Sequence, residues 1–415
     1  MNGQPTVAII GAGPAGIYAA QELAKHNVRV MLINRDVKLG GLAEYGIYFD
    51  KFKMKEGLRN RFQQILQNPL IDYFGNLTIG NKGDLTLAQL QEMGFDGILV
   101  AVGAQGTKRL GIPGESLKGV YHAKEIVFHY NNRPPYGQNS YPVGERVAII
   151  GAGNVMTDIA TWLVDCIKVE EVIILVRRDP SSVKFSKKEM KPLLKNLDRA
   201  ALLAEIEKTR PMMEDVGIDP DKAFARICPD RFIPLPTESN SRIRFKFLSS
   251  VQSFFGDEQS NLVGAVLENN TLVEGDDGRL RAKGLGTTKV LEIDTAIFAI
   301  GDCVDREFGL PLLGNEFARN PSPKYPINGI SYEAYDPARG LVIDGVFIAG
   351  WAREASTGLV GAARKDGTSG ALAMLQYLES KQKGFSADSE IIARKLFATH
   401  DSVISKEATL QLTDV

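Results

Sequence analysis

Two glycine-rich segments hold the residues whose spacing could do chemistry in this 415-residue chain. The first, Gly11-Ala-Gly13-Pro-Ala-Gly16, follows the apolar run Val7–Ile10 and precedes a helical pattern. In such a unit the first glycine permits the tight turn, the second lets a pyrophosphate approach, and the third lets the helix pack on the strand. The helix N-terminus favours anions. The spacing predicts dinucleotide binding, and a tight turn without a ligand is the alternative.

The second segment, Gly151–Met156, is less regular and follows the apolar run Val147–Ile150. Its third position normally has a small side chain, whereas Met156 is large. The next strand ends at Arg177 and Arg178, with no acidic residue. Two guanidinium groups match a ribose 2′-phosphate in charge and in bidentate geometry, so we expect NADP(H) rather than NAD(H) here. A solvent-exposed strand end is the alternative for the two arginines.

The ribose position of the first unit departs from the usual pattern. A carboxylate about 20 residues after the first glycine normally binds the adenosine ribose, but this chain has Asn34 followed by Arg35. An amide accepts hydrogen bonds through one oxygen only, so it would hold a ribose diol less firmly than a carboxylate does. The Asn-Arg pair could instead indicate a 2′-phosphate, which leaves open an NADP(H) site in this unit.

Composition excludes several other classes of protein. Forty-nine Lys+Arg against fifty Asp+Glu argue against nucleic-acid binding by phosphate neutralisation. Cys166, Cys228 and Cys303 form no C-x-x-C pair, which argues against a redox disulfide and a cysteine-ligated metal. No run approaches the ~18 apolar residues of a membrane span, and the N-terminus lacks the pattern of a signal peptide. We therefore expect a cytoplasmic protein.

The elements that must position the two motifs alternate between strand and helix. This alternation predicts an α/β fold with two Rossmann-like dinucleotide-binding domains. Residues 184–226 are predicted to be helical, and residues 242–300 alternate like an antiparallel excursion. The other predicted elements are strands at Val28–Ile33, Gly97–Gly103, Val172–Val176, Thr295–Gly301 and Gly345–Gly350, and helices that end at Val164 and that run from about Leu359 to Leu378.

With these residues in view, the chain resembles the adrenodoxin-reductase type of ferredoxin–NADP reductase. It is also similar to the flavin portion of the glutamate synthase small subunit, but the Tyr130-Asn131 pair and the spacing from Gly350-Trp351 to Thr357-Gly358 favour the former. The matching segments are Val7–Gly16, Tyr45–Ile47, Phe74–Gly80, Ile112–Glu115, Tyr130–Asn131, Gly151–Val155, Arg177–Arg178, Phe185–Glu189, Gly350–Trp351 and Thr357–Val360.

The resemblance implies an NADP-binding domain (107–307) inserted into a discontinuous FAD-binding domain (1–106 and 308–415). FAD and NADP(H) are the implied cofactors, and no metal is expected. The implied contacts are Gly11, Gly13, Pro14, Ala15, Asn34, Gly41, Leu42, Leu77, Trp351, Gly358, Leu359 and Val360 for FAD, and Gly153, Asn154, Val155, Arg177, Arg178 and Glu189 for NADP(H).

The same resemblance implies Lys51 and Asp158 as the catalytic residues near the flavin, and the chain departs from the family there. The family's Asp-His pair is Asp50-Lys51 in this chain, and the aspartate of its proton link corresponds to Asp158. Lysine is normally cationic at neutral pH, so the proton link that the family's histidine could form is not implied for Lys51. Met156 replaces the family's alanine, and this larger side chain could hinder the close approach of NADPH to the turn. Thr409 replaces a tryptophan near the C-terminal end of the family's sequences.

The implied activity is hydride transfer between NADP(H) and flavin, followed by single-electron exchange with a ferredoxin-like iron–sulfur protein. Another acceptor (a quinone, a small oxidant or a complex subunit) is the first alternative, and a non-catalytic nucleotide-binding module is the second. An acidic ferredoxin could dock on a group of lysines by charge complementarity, although a merely solvated helix face explains them equally well. These residues are Lys184, Lys187, Lys188, Lys191 and Lys195.

Overall fold

The computed structural model describes residues 4–229, 239–381 and 388–411. It divides the chain into two compact units, one formed by Met1–Lys108 with Gly301–Val415 and the other by Arg109–Ile300. The inserted unit is thus somewhat shorter at both ends than the predicted segment 107–307.

The strands of the described residues range from short bridging pairs to a long hairpin. In chain order they are β1 (Thr6–Ile10), β2 (Arg29–Ile33), β3 (Ile71–Gly75), β4 (Gly97–Val100), β5 (Gly106–Thr107), β6 (Val120–His122), β7 (Arg146–Ile150), β8 (Glu171–Leu175), β9 (Arg242–Lys246), β10 (Ser249–Gly256), β11 (Leu262–Glu274), β12 (Leu280–Glu292), β13 (Thr295–Phe298), β14 (Asp302–Cys303), β15 (Leu312–Leu313), β16 (Glu316–Phe317), β17 (Glu333–Asp336), β18 (Leu341–Ile348) and β19 (Ile404–Ser405).

The α-helices follow the predicted alternation with these strands. They are α1 (Pro14–Lys25), α2 (Leu42–Tyr45), α3 (Phe52–Leu66), α4 (Leu87–Glu92), α5 (Ala123–Tyr130), α6 (Asn154–Trp162), α7 (Lys187–Met190), α8 (Arg199–Glu214), α9 (Pro220–Ile227), α10 (Val360–Ser380), α11 (Ser389–Phe397) and α12 (Lys406–Gln411). A π-helical turn, Leu163–Ile167, continues α6, and 3-10 turns lie at Tyr136–Gln138, Pro180–Ser182, Lys191–Lys195, Arg306–Phe308 and Gly350–Ala352.

The first unit is built on a seven-stranded sheet in the order β17-β18-β4-β1-β2-β3-β19. The five central strands are parallel, and the two edge strands run antiparallel to their neighbours. Side chains from α1, α3 and α10 cover one face, and side chains from α4 and α11 join the apolar cluster on the other. Burial on both faces explains the continuous apolar runs in β1 and β4 at the centre of the sheet.

The second unit contains a five-stranded parallel sheet in the order β6-β13-β7-β8-β9 and a three-stranded antiparallel sheet, β10-β11-β12. The prediction of one antiparallel excursion over 242–300 is therefore wrong at its start, because Arg242–Lys246 pairs in parallel with Glu171–Leu175. As an edge strand, β9 alternates buried and partly exposed residues, and such alternation mimics an antiparallel strand.

The predicted fold class is confirmed, since each unit has a parallel sheet with a strand–glycine turn–helix motif. The C-terminal residues form α11, β19 and α12, and β19 pairs with β3. Within the described ranges, no helix combines the length and the apolar character that a membrane crossing requires.

Candidate nucleotide-binding sites

The first glycine turn has the shape that a pyrophosphate requires. Gly11 has a φ of +105°, and its amide donates to the Ile33 carbonyl at 2.7 Å. A Cβ on Gly16 would lie 1.9 Å from the Gly11 oxygen, so α1 and the turn are in backbone contact there. A Cβ on Gly13 would meet no heavy atom within 4 Å. The turn is thus closed at Gly11 and Gly16 and open at Gly13, just before the N-terminus of α1, which fits an anionic dinucleotide.

The side-chain amide of Asn34 makes hydrogen bonds to several groups within the protein. The side chain is 6% exposed; its Oδ1 accepts from the Ala12 amide at 3.1 Å. Its Nδ2 donates to the Asp36 carbonyl at 2.8 Å, to the Tyr73 hydroxyl at 3.0 Å and to the Lys38 carbonyl at 3.2 Å. Burial raises the pKa of Tyr73, which keeps that hydroxyl neutral. Asn34 therefore ties the glycine turn to the loop after β2, and the amide group has little capacity left for a ribose.

Three further predicted FAD contacts differ in their exposure and packing; they are Gly41, Leu42 and Leu77. Gly41 has a φ of +50°, and a Cβ there would lie 3.2 Å from the Gly13 Cα. Leu42 begins α2 and is partly exposed. Leu77 is 1% exposed and packs in the core, while its amide donates to the Asn34 carbonyl at 3.0 Å. The side chain of Leu77 thus contributes to the core beside the turn.

The C-terminal contribution to the first unit is the loop between β18 and α10. Trp351 is partly exposed, and its indole Nε1 donates to the Thr357 carbonyl at 2.8 Å. Gly358 has a φ of +75°, Leu359 is 67% exposed, and Val360 begins α10. The predicted helix start at about Leu359 is therefore confirmed. The backbone N–H groups of this helix start favour negative charge on a nearby group.

The second glycine turn repeats the geometry of the first. The Gly151 amide donates to the Leu175 carbonyl at 2.9 Å, and its φ is +117°. A Cβ on Gly153 would meet no heavy atom within 4 Å. Met156 is completely buried, so its extra volume is accommodated by the core rather than by the open turn. Val155, its neighbour, is 44% exposed.

A segment that the sequence motif alone did not place lies directly against this turn. The Lys184 amide donates to the Ala152 carbonyl at 2.8 Å, and the Ser186 amide donates to the Asn154 Oδ1 at 3.0 Å. Ser186 also caps α7, because its Oγ accepts from the Glu189 amide at 3.2 Å. These bonds bring Glu189 and the glycine turn together. The serine cap was a readable helix-start signal in the sequence.

Arg177 and Arg178 follow β8 in a loop whose backbone is held from both sides. The Arg177 carbonyl accepts from the Asn270 Nδ2 at 2.9 Å, and the Arg178 carbonyl accepts from the Leu248 amide at 3.1 Å. Arg177 is exposed and Arg178 is half-buried. The carboxyl end of β8 thus presents two cationic side chains on a fixed backbone. The role of Asn270 is not visible in the sequence, because it comes from a distant strand.

The two predicted catalytic residues lie in different units. Lys51 directly precedes α3 in the first unit, and Asp158 lies in α6 of the second unit; both are partly buried.

The five lysines predicted as a docking surface do not form a uniform group. Lys195 makes a salt bridge to Asp165 at 2.9 Å, which offsets its charge. The other four are exposed and lie within α7 or next to it in the chain; they are Lys184, Lys187, Lys188 and Lys191. Among the described residues no cluster of histidine, cysteine and acidic side chains suited to a metal ion is present, and none of the three cysteines, all of them described, forms a disulfide.

Fold and turns together define an α/β protein with two dinucleotide-binding units. A sequence profile of the pyridine nucleotide-disulphide oxidoreductase family matches residues 5–199. NADPH-ferredoxin reductase FprA of Mycobacterium leprae is 28% identical over 389 residues, which cover 87% of this chain and 81% of that protein. The mitochondrial NADPH:adrenodoxin oxidoreductase of Salvelinus fontinalis is 28% identical over 417 residues, or 90% and 78% of the two chains.

Solved structures agree with these relationships at the level of the fold. FprA of Mycobacterium tuberculosis in complex with NADPH superimposes with a TM-score of 0.79 at 24% identity and covers 97% of this chain and 92% of that one. Over most of its length the chain is similar to an NADPH-ferredoxin reductase and to an NADPH:adrenodoxin oxidoreductase, so the predicted resemblance is confirmed.

Proposed function

We propose that this chain is an FAD-dependent oxidoreductase that transfers a hydride between NADP(H) and flavin and exchanges single electrons with a ferredoxin-like iron–sulfur protein. The observation that carries the proposal is the pair of open glycine turns, of which only the second is followed by two arginines on a fixed backbone. The named relatives, an NADPH-ferredoxin reductase and an NADPH:adrenodoxin oxidoreductase, support it. FAD, when bound, supplies the redox chemistry, because its ring accepts a hydride and releases electrons singly.

The residues of the first unit would hold FAD at its two ends. The turn at Gly11–Ala15 would bind the pyrophosphate through backbone N–H groups at the start of α1. The loop at Trp351 and the start of α10 at Gly358–Val360 would hold the isoalloxazine. Because a helix N-terminus favours negative charge, the start of α10 would stabilise the reduced, anionic ring.

The residues of the second unit would bind NADPH and select it over NADH. The turn at Gly153–Val155 would bind the pyrophosphate, and Glu189 would lie beside it through the Ser186 contact. Arg177 and Arg178 would bind the 2′-phosphate with charge-assisted hydrogen bonds. Lys51 and Asp158 are proposed as the polar groups that handle protons. A lysine ammonium group such as that of Lys51 donates hydrogen bonds but has no acceptor.

An anaerobic titration of the purified protein tests the proposal. Flavin absorbance is recorded after NADPH and, separately, after NADH. Bleaching by NADPH at a much lower concentration than by NADH is the expected result. A yellow protein that neither nucleotide bleaches would contradict the reductase proposal and favour a non-catalytic module. Cytochrome reduction that does not depend on added ferredoxin would instead favour another acceptor.

A cytoplasmic location stays a prediction, and cell fractionation tests it.

Replacing Gly13 with alanine is expected to remove FAD without unfolding the protein. Gly13 has extended backbone angles that any residue adopts, and its Cβ would enter open space, so the free energy of unfolding of the apoprotein should change by less than ~0.5 kcal/mol. The same methyl group would occupy the path of the pyrophosphate. We expect a Kd for FAD at least about tenfold higher, measured by flavin fluorescence.

Gly16→Ala is the contrasting variant. Its Cβ would collide with the Gly11 oxygen, so it should lower the melting temperature of the apoprotein as well as the flavin content. Normal FAD affinity in G13A would show that the dinucleotide does not approach the backbone at this turn.

Reversing two exposed charges beside α7 tests the docking surface. Lys188→Glu with Lys191→Glu should slow ferredoxin reduction about tenfold at low ionic strength, because rim charges act mainly on association. The effect should fade with added salt, and NADPH bleaching of the flavin should be unchanged. Lys222→Glu with Lys283→Glu, at exposed positions of the same unit, is the control. Equal rates of ferredoxin reduction in both double variants would show that Lys188 and Lys191 are not part of a docking surface.

A further inference from the structure

Asp366 accepts hydrogen bonds from three residues that lie in two segments of the first unit. It lies on the second turn of α10. Its Oδ2 accepts from the Gly350 amide at 2.5 Å, and its Oδ1 accepts from the Tyr332 hydroxyl at 3.2 Å. The Arg353 guanidinium donates to Oδ1 through two nitrogens, at 2.6 and 3.0 Å. Both carboxylate oxygens are therefore engaged, and all their partners are donors.

The ion pair between Arg353 and Asp366 is the strongest of these contacts. The Arg353 side chain is 7% exposed and that of Asp366 is 16% exposed. The guanidinium also lies over the Tyr332 ring, 4.9 Å from its centroid, and pairs with the more exposed Glu354 at 3.1 Å. Removing one partner of a buried pair leaves the other charge poorly compensated. The pair thus fixes the path of the chain from Gly350 to Arg353.

The same region of α10 touches the first glycine turn. A Cβ on Gly367 would lie 2.1 Å from the Ala15 oxygen, and a Cβ on Gly350 would lie 2.6 Å from the Ala15 Cβ. Gly367, which follows Asp366, and Gly350, whose amide donates to Asp366, therefore both pack against Ala15. Ala15 directly precedes Gly16 of the turn. Since Ala15 lies in the first turn of α1, Asp366 sits where the N-terminal and C-terminal parts of the unit meet.

We propose that Asp366 is a positioning residue that keeps the glycine turn and the Gly350–Val360 loop at the spacing one flavin requires. This inference rests on the proposed function, in which the turn holds the pyrophosphate and the loop holds the isoalloxazine. Asp366 is not proposed to touch the flavin. It acts through the Gly350 amide and Arg353, so its loss would move the loop that carries Trp351 relative to the turn.

The test is Asp366→Asn in the FAD-loaded protein. Asparagine keeps the shape but has one acceptor oxygen and no charge, so it cannot serve Gly350 and Arg353 together. We expect a Kd for FAD about tenfold higher, the effect of losing a hydrogen bond to a charged group. We also expect a change in the visible absorption bands and the midpoint potential of the flavin. Asp344→Asn is the control, because Asp344 accepts from the Tyr377 hydroxyl of the same helix at 3.1 Å.

Arg353→Lys keeps the charge but loses the two-nitrogen contact. It should also raise the Kd for FAD and change the flavin spectrum, and it replaces D366N in the test if D366N fails to fold. A lower melting temperature with unchanged FAD affinity, spectrum and potential in the variant that folds would overturn the inference and leave Asp366 a purely structural residue. A wild-type protein that binds no FAD by fluorescence quenching would overturn the proposed function itself.

Discussion

Replacing both Arg177 and Arg178 with alanine is expected to raise the NADPH concentration needed to bleach the flavin by at least about 100-fold. Each charge-assisted hydrogen bond contributes roughly 1.5–3 kcal/mol, and a factor of ten corresponds to about 1.4 kcal/mol. The NADH concentration should change little, because NADH lacks the 2′-phosphate. The preference for NADPH would thus largely disappear. Anaerobic titrations with both nucleotides measure this change.

The matched control removes the same charge elsewhere in the second unit. Arg279 and Arg281 lie at the start of β12 and are 85% and 64% exposed at their side chains. Their double alanine variant should keep the wild-type preference. If the two double variants weaken NADPH binding equally, the effect comes from overall charge and the 2′-phosphate site lies elsewhere. If R177A/R178A keeps the wild-type preference, these arginines only end a strand.

Asn34→Asp, which introduces the kind of group that binds ribose in related sites, is expected to destabilise this protein. Asn34 Nδ2 donates to the Asp36 and Lys38 carbonyls, and a carboxylate oxygen in its place would face two acceptors. We expect the free energy of unfolding to fall by ~3 kcal/mol, the usual scale for an uncompensated buried polar group. Flavin content should fall as well, because the side chain would no longer donate to the loop after β2 and hold it against the glycine turn. Urea denaturation and flavin absorbance measure the two effects.

The pH dependence of this variant has a definite sign. Burial and two facing carbonyl oxygens would raise the pKa of the new carboxyl in the folded state above its unfolded value. Such a group makes stability fall as pH rises through the folded pKa, so the deficit against wild type should shrink on acidification. Asn60→Asp, at an exposed position of α3, should show no comparable deficit. Tighter FAD binding in N34D without loss of stability would mean that Asn34 is a ribose ligand after all.

The sequence predicted the parts of the fold that depend on local pattern. Both glycine turns follow buried apolar strands, and the conformations at Gly11 and Gly151 require glycine. The assignment of β9 failed because an edge strand of a parallel sheet alternates like an antiparallel one. The pairing of β18 between β17 and β4 joins distant parts of the chain, which no local pattern shows.

The candidate site was predictable by residue type but not by hydrogen-bond partner. Asn34 reads as a weak ribose ligand in the sequence, whereas the structure commits its amide to Asp36, Lys38 and Tyr73. Lys195 reads as part of a basic surface, but Asp165 neutralises it. Such partners come from other elements, and only the folded chain brings them together. The roles of the predicted cofactor contacts and of Lys51 and Asp158 stay predictions.

The order of strands in the first unit sets the order in which the chain can fold during synthesis. β4 needs β18 on its open edge, and about 240 residues separate them in the order of translation. The second unit, Arg109–Ile300, is complete well before β18 emerges from the ribosome. The inserted unit can therefore fold first, while the earlier strands wait with an unpaired apolar edge. Such an edge is prone to aggregation, so a chaperone that protects nascent chains should affect the yield of this protein more than its activity.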